Sequence, residues 1–199
     1  MSSPEWYEVV VEIPQGSRNK FEIDHDTGEV WLDRHLFAAT VYPAEYGFFP
    51  DTLAEDGDPL DALVLLGDPT FPGCHVRARP VAVLEMTDEA GRDLKVLCVP
   101  AADPRWDHIS DVGDVDPFLL NEIHHFFSVY KDLEPGKGSD IGEWTGREVA
   151  EAAIAAIASK VQAPGKLSPS WASSTPRRAI PCAPKTSRSP SRKFDSPSP

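Results

Sequence analysis

The chain has 199 residues, long enough for one domain of ordinary size plus a tail and too short for two large ones. Its net charge of −13 is uneven: residues 163–199 hold seven Lys/Arg against the single acid Asp195, leaving 12 basic and 31 acidic residues in 1–162, a net of −19. A body that acidic excludes non-specific nucleic-acid binding, which needs a basic face, and suits metal cations.

Cys74, Cys98 and Cys182 are odd in number and lack paired ligand spacing, so neither a disulfide framework nor a zinc ribbon is indicated, and Cys74 and Cys98 read as small core residues. The N-terminus has no basic segment followed by an apolar one, and no stretch approaches the ~20 apolar residues that span a bilayer. The expectation is a soluble, cytoplasmic protein without a membrane partner.

Taken in chain order, Tyr7 to Ile13 alternates, with Tyr7, Val9, Val11 and Ile13 on one face and Glu8, Val10 and Glu12 on the other, which predicts a strand with an acidic face. Lys20 to Asp24 alternates again, and the turn Asp26-Thr27-Gly28 leads into Val30 to Asp33, so these form a hairpin. Tyr42 and Tyr46, in Tyr42-Pro43-Ala44-Glu45-Tyr46-Gly47, belong to a rigid loop; taken alone they read more readily as core aromatics of a turn than as phenolic donors.

The hexapeptide Asp56-Gly57-Asp58-Pro59-Leu60-Asp61 crowds three carboxylates around a proline before the apolar run Ala62 to Leu66. Such carboxylates either lie on a solvated turn or are held together by a cation. A calcium-binding helix-loop-helix fails in register: with Asp56 at loop position 1, Asp61 stands where glycine is required and Gly67 where glutamate is.

His75 to Met86 and Leu94 to Val99 predict a second hairpin, joined by Thr87 to Asp93 with the acids at its tip. Helices come late. Asp116-Pro117 is an N-cap with proline at the first helical position, followed by an apolar stripe through Phe118, Leu119, Ile123, Phe126 and Phe127. Thr145 to Glu148 fits a capping box ahead of an Ala-rich helix over Val149 to Val161. Residues 163–199 contain eight Pro and nine Ser and few large apolar residues, which predicts a disordered tail after a domain over 1–162.

Three acidic groups therefore stand out: Glu12 with Glu22, Asp56/Asp58/Asp61, and Asp88/Asp93. Oxygen-only donor sets favour Mg2+, Mn2+ or Ca2+ over zinc. The scarce cations sit among them: Lys20 beside Glu22, Arg34 at a strand end, Lys95 beside Asp93, and Lys131 after Tyr130. Cations interleaved with metal-binding carboxylates hold a polyanion, and a phosphate or pyrophosphate fits.

Val11-Glu12-Ile13-Pro14, Asn19 to Asp24, Asp33-Arg34, Tyr42 to Gly47, Asp56 to Asp61, Asp88 to Lys95 and His125 to Glu134 together resemble the family I soluble inorganic pyrophosphatases, in order and across about residues 5–160. The resemblance implies a mainly β fold with flanking helices (α+β): an OB-like five-stranded closed barrel with two helices in the C-terminal half. It also implies Mg2+-dependent hydrolysis of pyrophosphate to two orthophosphates by a metal-activated water, with several ions per site, Mn2+ as a substitute and a homohexameric assembly.

Residue roles follow from the resemblance too. Asp56, Asp61 and Asp93 would hold one metal, Glu12, Asp88 and Asp93 another, and Glu22 one arriving with substrate. Lys20, Arg34, Tyr46, Lys95, Tyr130 and Lys131 would grip phosphate oxygens, with Tyr42 behind them. Asp58 would take the proton of the attacking water, a duty Asp93 shares. The competing reading is a non-catalytic divalent-metal or phosphate-binding module of the same fold. For the tail, a partner-binding extension competes with a frameshift product, and the resembled family, which ends soon after the last helix, favours the second.

Overall fold

A computed structural model describes residues 5–54, 57–89 and 91–161, the side chains of 159–161 excepted. The expected tail, 163–199, lies outside the described residues. The strands are β1 (Tyr7–Ile13), β2 (Asn19–Ile23), β3 (Val30–His35), β4 (Glu45–Phe48), β5 (Asp61–Val64), β6 (His75–Asp88), β7 (Gly91–Pro100) and β8 (Ser139–Gly146); the α-helices are α1 (Pro117–Val129) and α2 (Arg147–Val161).

Five strands close a ring. β1 pairs antiparallel with β4 and also with β6, β4 with β5 and β6 with β7 antiparallel, and β5 with β7 in parallel; β8 adds to β6 outside the ring, and β2–β3 form a separate hairpin. This is the expected closed five-stranded β-barrel with its two helices, and closure removes the exposed edges an open sheet would carry.

The barrel strands are covered on both faces. Leu63, Leu97 and Val99 join one apolar cluster with Ile123, Phe126 and Phe127 of α1, while the intervening Ala62, Val64, Val96 and Cys98 join another with Ala150, Ile154 and Ile157 of α2. Continuous apolar runs such as Ala62 to Leu66 follow from this double burial. The same cause overturns the two-faced reading of β1, where Val10 and Glu12 are buried along with Val9, Val11 and Ile13.

Two register shifts matter for the site. Between Val11 and Ile13 the β1–β4 pairing skips Glu12, and between Lys20 and Phe21 the β2–β3 pairing skips Asp33. A bulge of this kind re-aims the extra side chain. Gly47 allows the first: a Cβ there would stand 1.9 Å from the Val10 carbonyl oxygen.

Local expectations were met or moved. Asp116 caps α1 by accepting from Phe118 N at 2.8 Å, with Pro117 at the first position. Asp24 accepts from Asp26 N and Thr27 N, closing the β2–β3 turn, where Gly28 takes φ 72. The Tyr42–Gly47 segment is not wholly a loop, because Tyr46 lies in β4. The β6–β7 connection is shorter than expected, so Asp88 and Asp93 sit in the ladder, paired with Gly91 and Met86. The Thr145 box is replaced: Thr145 Oγ1 donates to the Val83 carbonyl, and the first amide of α2, Arg147 N, donates to Asp111 Oδ1 at 3.0 Å.

Candidate active site

A cavity of about 720 Å3 takes in twelve of the fourteen expected site residues. Asp56 lies outside the described residues, and Tyr42 does not line the cavity. Tyr42 is a buried aromatic against Phe126, centroids 4.8 Å apart, and Tyr46, 5.4 Å. It backs the wall that Tyr46 presents.

The parallel β5–β7 pairing sets Asp61 beside Lys95, and Asp93 shares Lys95's strand face two residues earlier. Lys95 Nζ consequently meets Asp61 Oδ2, Asp93 Oδ2 at 2.6 Å and the Tyr46 hydroxyl at 3.1 Å. At 3 % exposure, Lys95 would be pushed toward neutrality by burial, but Asp61 and Asp93 outweigh burial and hold its pKa above the usual lysine range. Burial pushes Asp93 up, against the pull of Lys95, and the nearby Asp61 charge adds to the rise. Burial likewise raises Tyr46 well above its ordinary value, so its hydroxyl stays protonated.

Asp58 is presented by a pinned loop. Thr52 Oγ1 donates to the Phe49 carbonyl at 2.6 Å and accepts from Leu60 N at 2.8 Å, while Ala54 N donates to the Asp58 carbonyl at 2.7 Å. Gly57 sits in the loop at φ 96, a conformation other residues rarely adopt.

Glu12, turned inward by its bulge, accepts from Ile23 N at 2.9 Å, tying the hairpin to the barrel. Its pKa is pushed up to about 7, by burial first and then by the negative charges of Asp61 and Asp58; the Ile23 hydrogen bond and Lys20 pull the other way. Lys20 contacts Glu22 and lies 3.6 Å from Asp33, and burial lowers its pKa below the usual lysine range.

The segment after α1 brings in the remaining cations. Lys131 Nζ meets Asp88 Oδ2 at 2.7 Å and Glu89 Oε1 at 3.4 Å. Tyr130 stacks on Phe126 at 5.2 Å. Arg34 contacts Asp33 and donates through Nε and Nη2 to Glu134 Oε1 at 3.1 and 2.7 Å.

The described lining holds seven Asp/Glu and six Lys/Arg, close to neutral. A multiply charged anion entering a neutral cavity needs added cations, and the oxygen donors present are those a hard divalent ion takes. The raised Glu12 points the same way, since burial and the charges of Asp61 and Asp58 outweigh the pull of Lys20 and of the Ile23 amide. Among the described residues no three His, Cys, Asp or Glu side chains stand close enough to enclose an ion, and Lys95 stands between Asp61 and Asp93.

Glu134, Asp33 and Lys137 had no role in the sequence reading. Glu134 ends the His125 to Glu134 motif, but an acid in a Leu-Glu-Pro-Gly turn carries no signal that it is buried against an arginine a hundred residues away. Lys137 lines the cavity and lies 3.3 Å from Glu134 Oε2.

Residues 9–162 match the family model for inorganic pyrophosphatase. The chain is similar to an inorganic pyrophosphatase of Streptomyces coelicolor, 58 % identical over 148 residues, covering 74 % of this chain and 91 % of that one. It is similar also to one of Leifsonia xyli, 56 % identical over 159 residues, covering 80 % and 98 %. Among solved structures, the inorganic pyrophosphatase of Thermus thermophilus superposes with a TM-score of 0.78 at 47 % identity, over 82 % of this chain and 95 % of that one.

Proposed function

We propose, from the premise that this chain belongs to the inorganic pyrophosphatase family, that the cavity bounded by β1, β5, β7 and the segment after α1 is its active site. The reaction is hydrolysis of inorganic pyrophosphate to two orthophosphates, so the chain is an inorganic diphosphatase. The observation that carries the placement is Lys95 seated between Asp61 and Asp93, on two strands that the barrel makes neighbours.

Enzymes of this family use a divalent metal. Here we take it to be Mg2+, several ions per site with Mn2+ as a substitute: Asp56, Asp61 and Asp93 would hold one, Glu12 with Asp88 and Asp93 another, and Glu22 a further one, the described side chains moving in from the cavity wall to do so. When bound, such an ion offsets the charge of pyrophosphate and lowers the pKa of a bound water from ~16 toward ~7. Asp58 takes a proton from the attacking water, sharing that proton with Asp93 in a coupled carboxylate set.

Lys20, Arg34, Lys95 and Lys131, with the Tyr46 and Tyr130 hydroxyls, hold phosphate oxygens so that the water oxygen stands in line with the bridging P–O bond. As that bond breaks, charge gathers on the departing phosphate, and fixed ammonium and guanidinium groups stabilise it without reorganising. Several of these cations already carry a carboxylate partner, so phosphate entry exchanges partners instead of exposing bare charges.

Cytoplasmic location and homohexameric assembly come from the resemblance. No described helix is long and apolar enough to cross a membrane. The exposed Val30, Trp31, Leu32 and Phe37 on and just after the β2–β3 hairpin accord with a self-contact. Light scattering measures the assembly directly.

The deciding experiment is phosphate release from pyrophosphate with Mg2+, with and without a chelator, beside an Asp93→Asn control. Turnover that needs the ion and is lost in the control is expected. Mg2+ binding with no turnover would identify the non-catalytic module instead.

A further inference from the structure

Arg34 carries two carboxylates, and they differ in kind. Asp33, its chain neighbour, is 37 % exposed at the side chain and also lies 3.6 Å from Lys20. Glu134 is 6 % exposed, comes from the turns after α1, and engages the opposite edge of the guanidinium through Nε and Nη2. Asp33 contacts only Nη1. One edge of the fork is therefore clamped by a buried acid, and the other ends on an open, exchangeable one.

Glu134 is itself fixed. Successive turns run Asp132 N to the Val129 carbonyl at 3.1 Å, Glu134 N to the Lys131 carbonyl at 2.8 Å and Lys137 N to the Glu134 carbonyl at 3.2 Å. Gly136 adopts φ 75 within them. The second oxygen, Glu134 Oε2, lies 3.3 Å from Lys137 Nζ. Burial alone would raise the Glu134 pKa, but hydrogen bonds from Arg34 and Lys137 outweigh it and hold the group below the usual glutamate range.

We propose that Glu134 is a positioning residue for pyrophosphate hydrolysis: it clamps the Nε/Nη2 edge of Arg34 so that Nη1 faces the cavity, where substrate phosphate displaces Asp33. The proposal rests on the reading that Arg34 grips phosphate. A guanidinium presents its donors in a rigid plane, so fixing one edge fixes the direction of the rest, and little side-chain entropy is left to lose when phosphate arrives. Asp33, bulged out of the β2–β3 register between Lys20 and Arg34, is the counter-anion that holds the place meanwhile.

The test is a double-mutant cycle on steady-state pyrophosphate hydrolysis with Mg2+, using Glu134→Gln, Arg34→Lys and both together, with thermal melting of each. Glu134→Gln lowers kcat/KM about tenfold, mainly through KM, within the coupling that neighbouring residues show. In the Arg34→Lys background, where no planar fork exists to orient, the same change costs less than about twofold. Equal losses in both backgrounds, or near-normal kinetics in Glu134→Gln alone, would overturn the proposal. If Glu134→Gln melts below the assay temperature, Glu134→Asp, which keeps the charge one methylene short, replaces it in the cycle with the same expectation. A parent chain that hydrolyses no pyrophosphate would instead refute the functional reading, and this inference with it.

Discussion

Lys95 and Asp93, two residues apart on β7, meet with Nζ 2.6 Å from Oδ2, while the same ammonium contacts Asp61 across the parallel β5–β7 ladder. Removing one member of a buried ion pair costs about 3–5 kcal/mol because its partner's charge stays behind. Lys95→Met, measured by urea unfolding in chelator, is accordingly destabilised by about that much. With Asp61 and Asp93 as the proposed ligands, Mg2+ should recover part of the loss. A variant as stable as the parent without Mg2+ would contradict this role for Lys95.

The proposed roles divide the hexapeptide between Asp58, as general base, and Asp61, as metal ligand. Asp58→Asn lowers kcat by about 100-fold or more, as expected for a lost general base, with little change in the Mg2+ concentration required. Asp61→Asn raises that Mg2+ requirement. Titrating activity against Mg2+ for both variants checks the division, and identical titration curves would argue against it.

Glu12 makes metal-free stability depend on pH. Its folded pKa of about 7 stands above its ordinary 4.5, so its contribution is fully present below 4.5 and is lost as pH rises through 7. That shift corresponds to roughly 3 kcal/mol. In chelator, Glu12→Gln should match the parent at pH 4 and exceed it by up to that amount at pH 8. Thermal melts across this range decide it; a gap that does not widen with pH would count against a buried, charge-strained Glu12.

Gly47 marks a close approach of backbones. A Cβ at 47 would lie 1.9 Å from Val10 O and 2.8 Å from Val11 Cα, both main-chain atoms that cannot step aside. Gly47→Ala should therefore break the β1–β4 pairing and lower the melting temperature sharply, whereas Gly113→Ala, with nothing within 4 Å of its Cβ, should not. Equal melting of the two would refute the close approach.

The residues of one sequence segment already determined much of this protein. The strand over Tyr7 to Ile13, the Asp-Thr-Gly turn and the Asp116-Pro117 cap are local, and local hydrogen bonding and side-chain geometry suffice to read them, although not which faces of the strand are buried. The order of acidic and basic motifs was legible as well, because oxygen donors and the lysines and arginines interleaved with them are recognisable by type. What only the tertiary structure decided is non-local. That Asp61 neighbours Lys95 follows from a parallel pairing, that Glu12 is buried follows from a bulge opposite Gly47, and that Glu134 clamps Arg34 follows from bringing together residues a hundred positions apart. No periodicity encodes such pairings, since strand register is set by barrel closure and by burial on both faces.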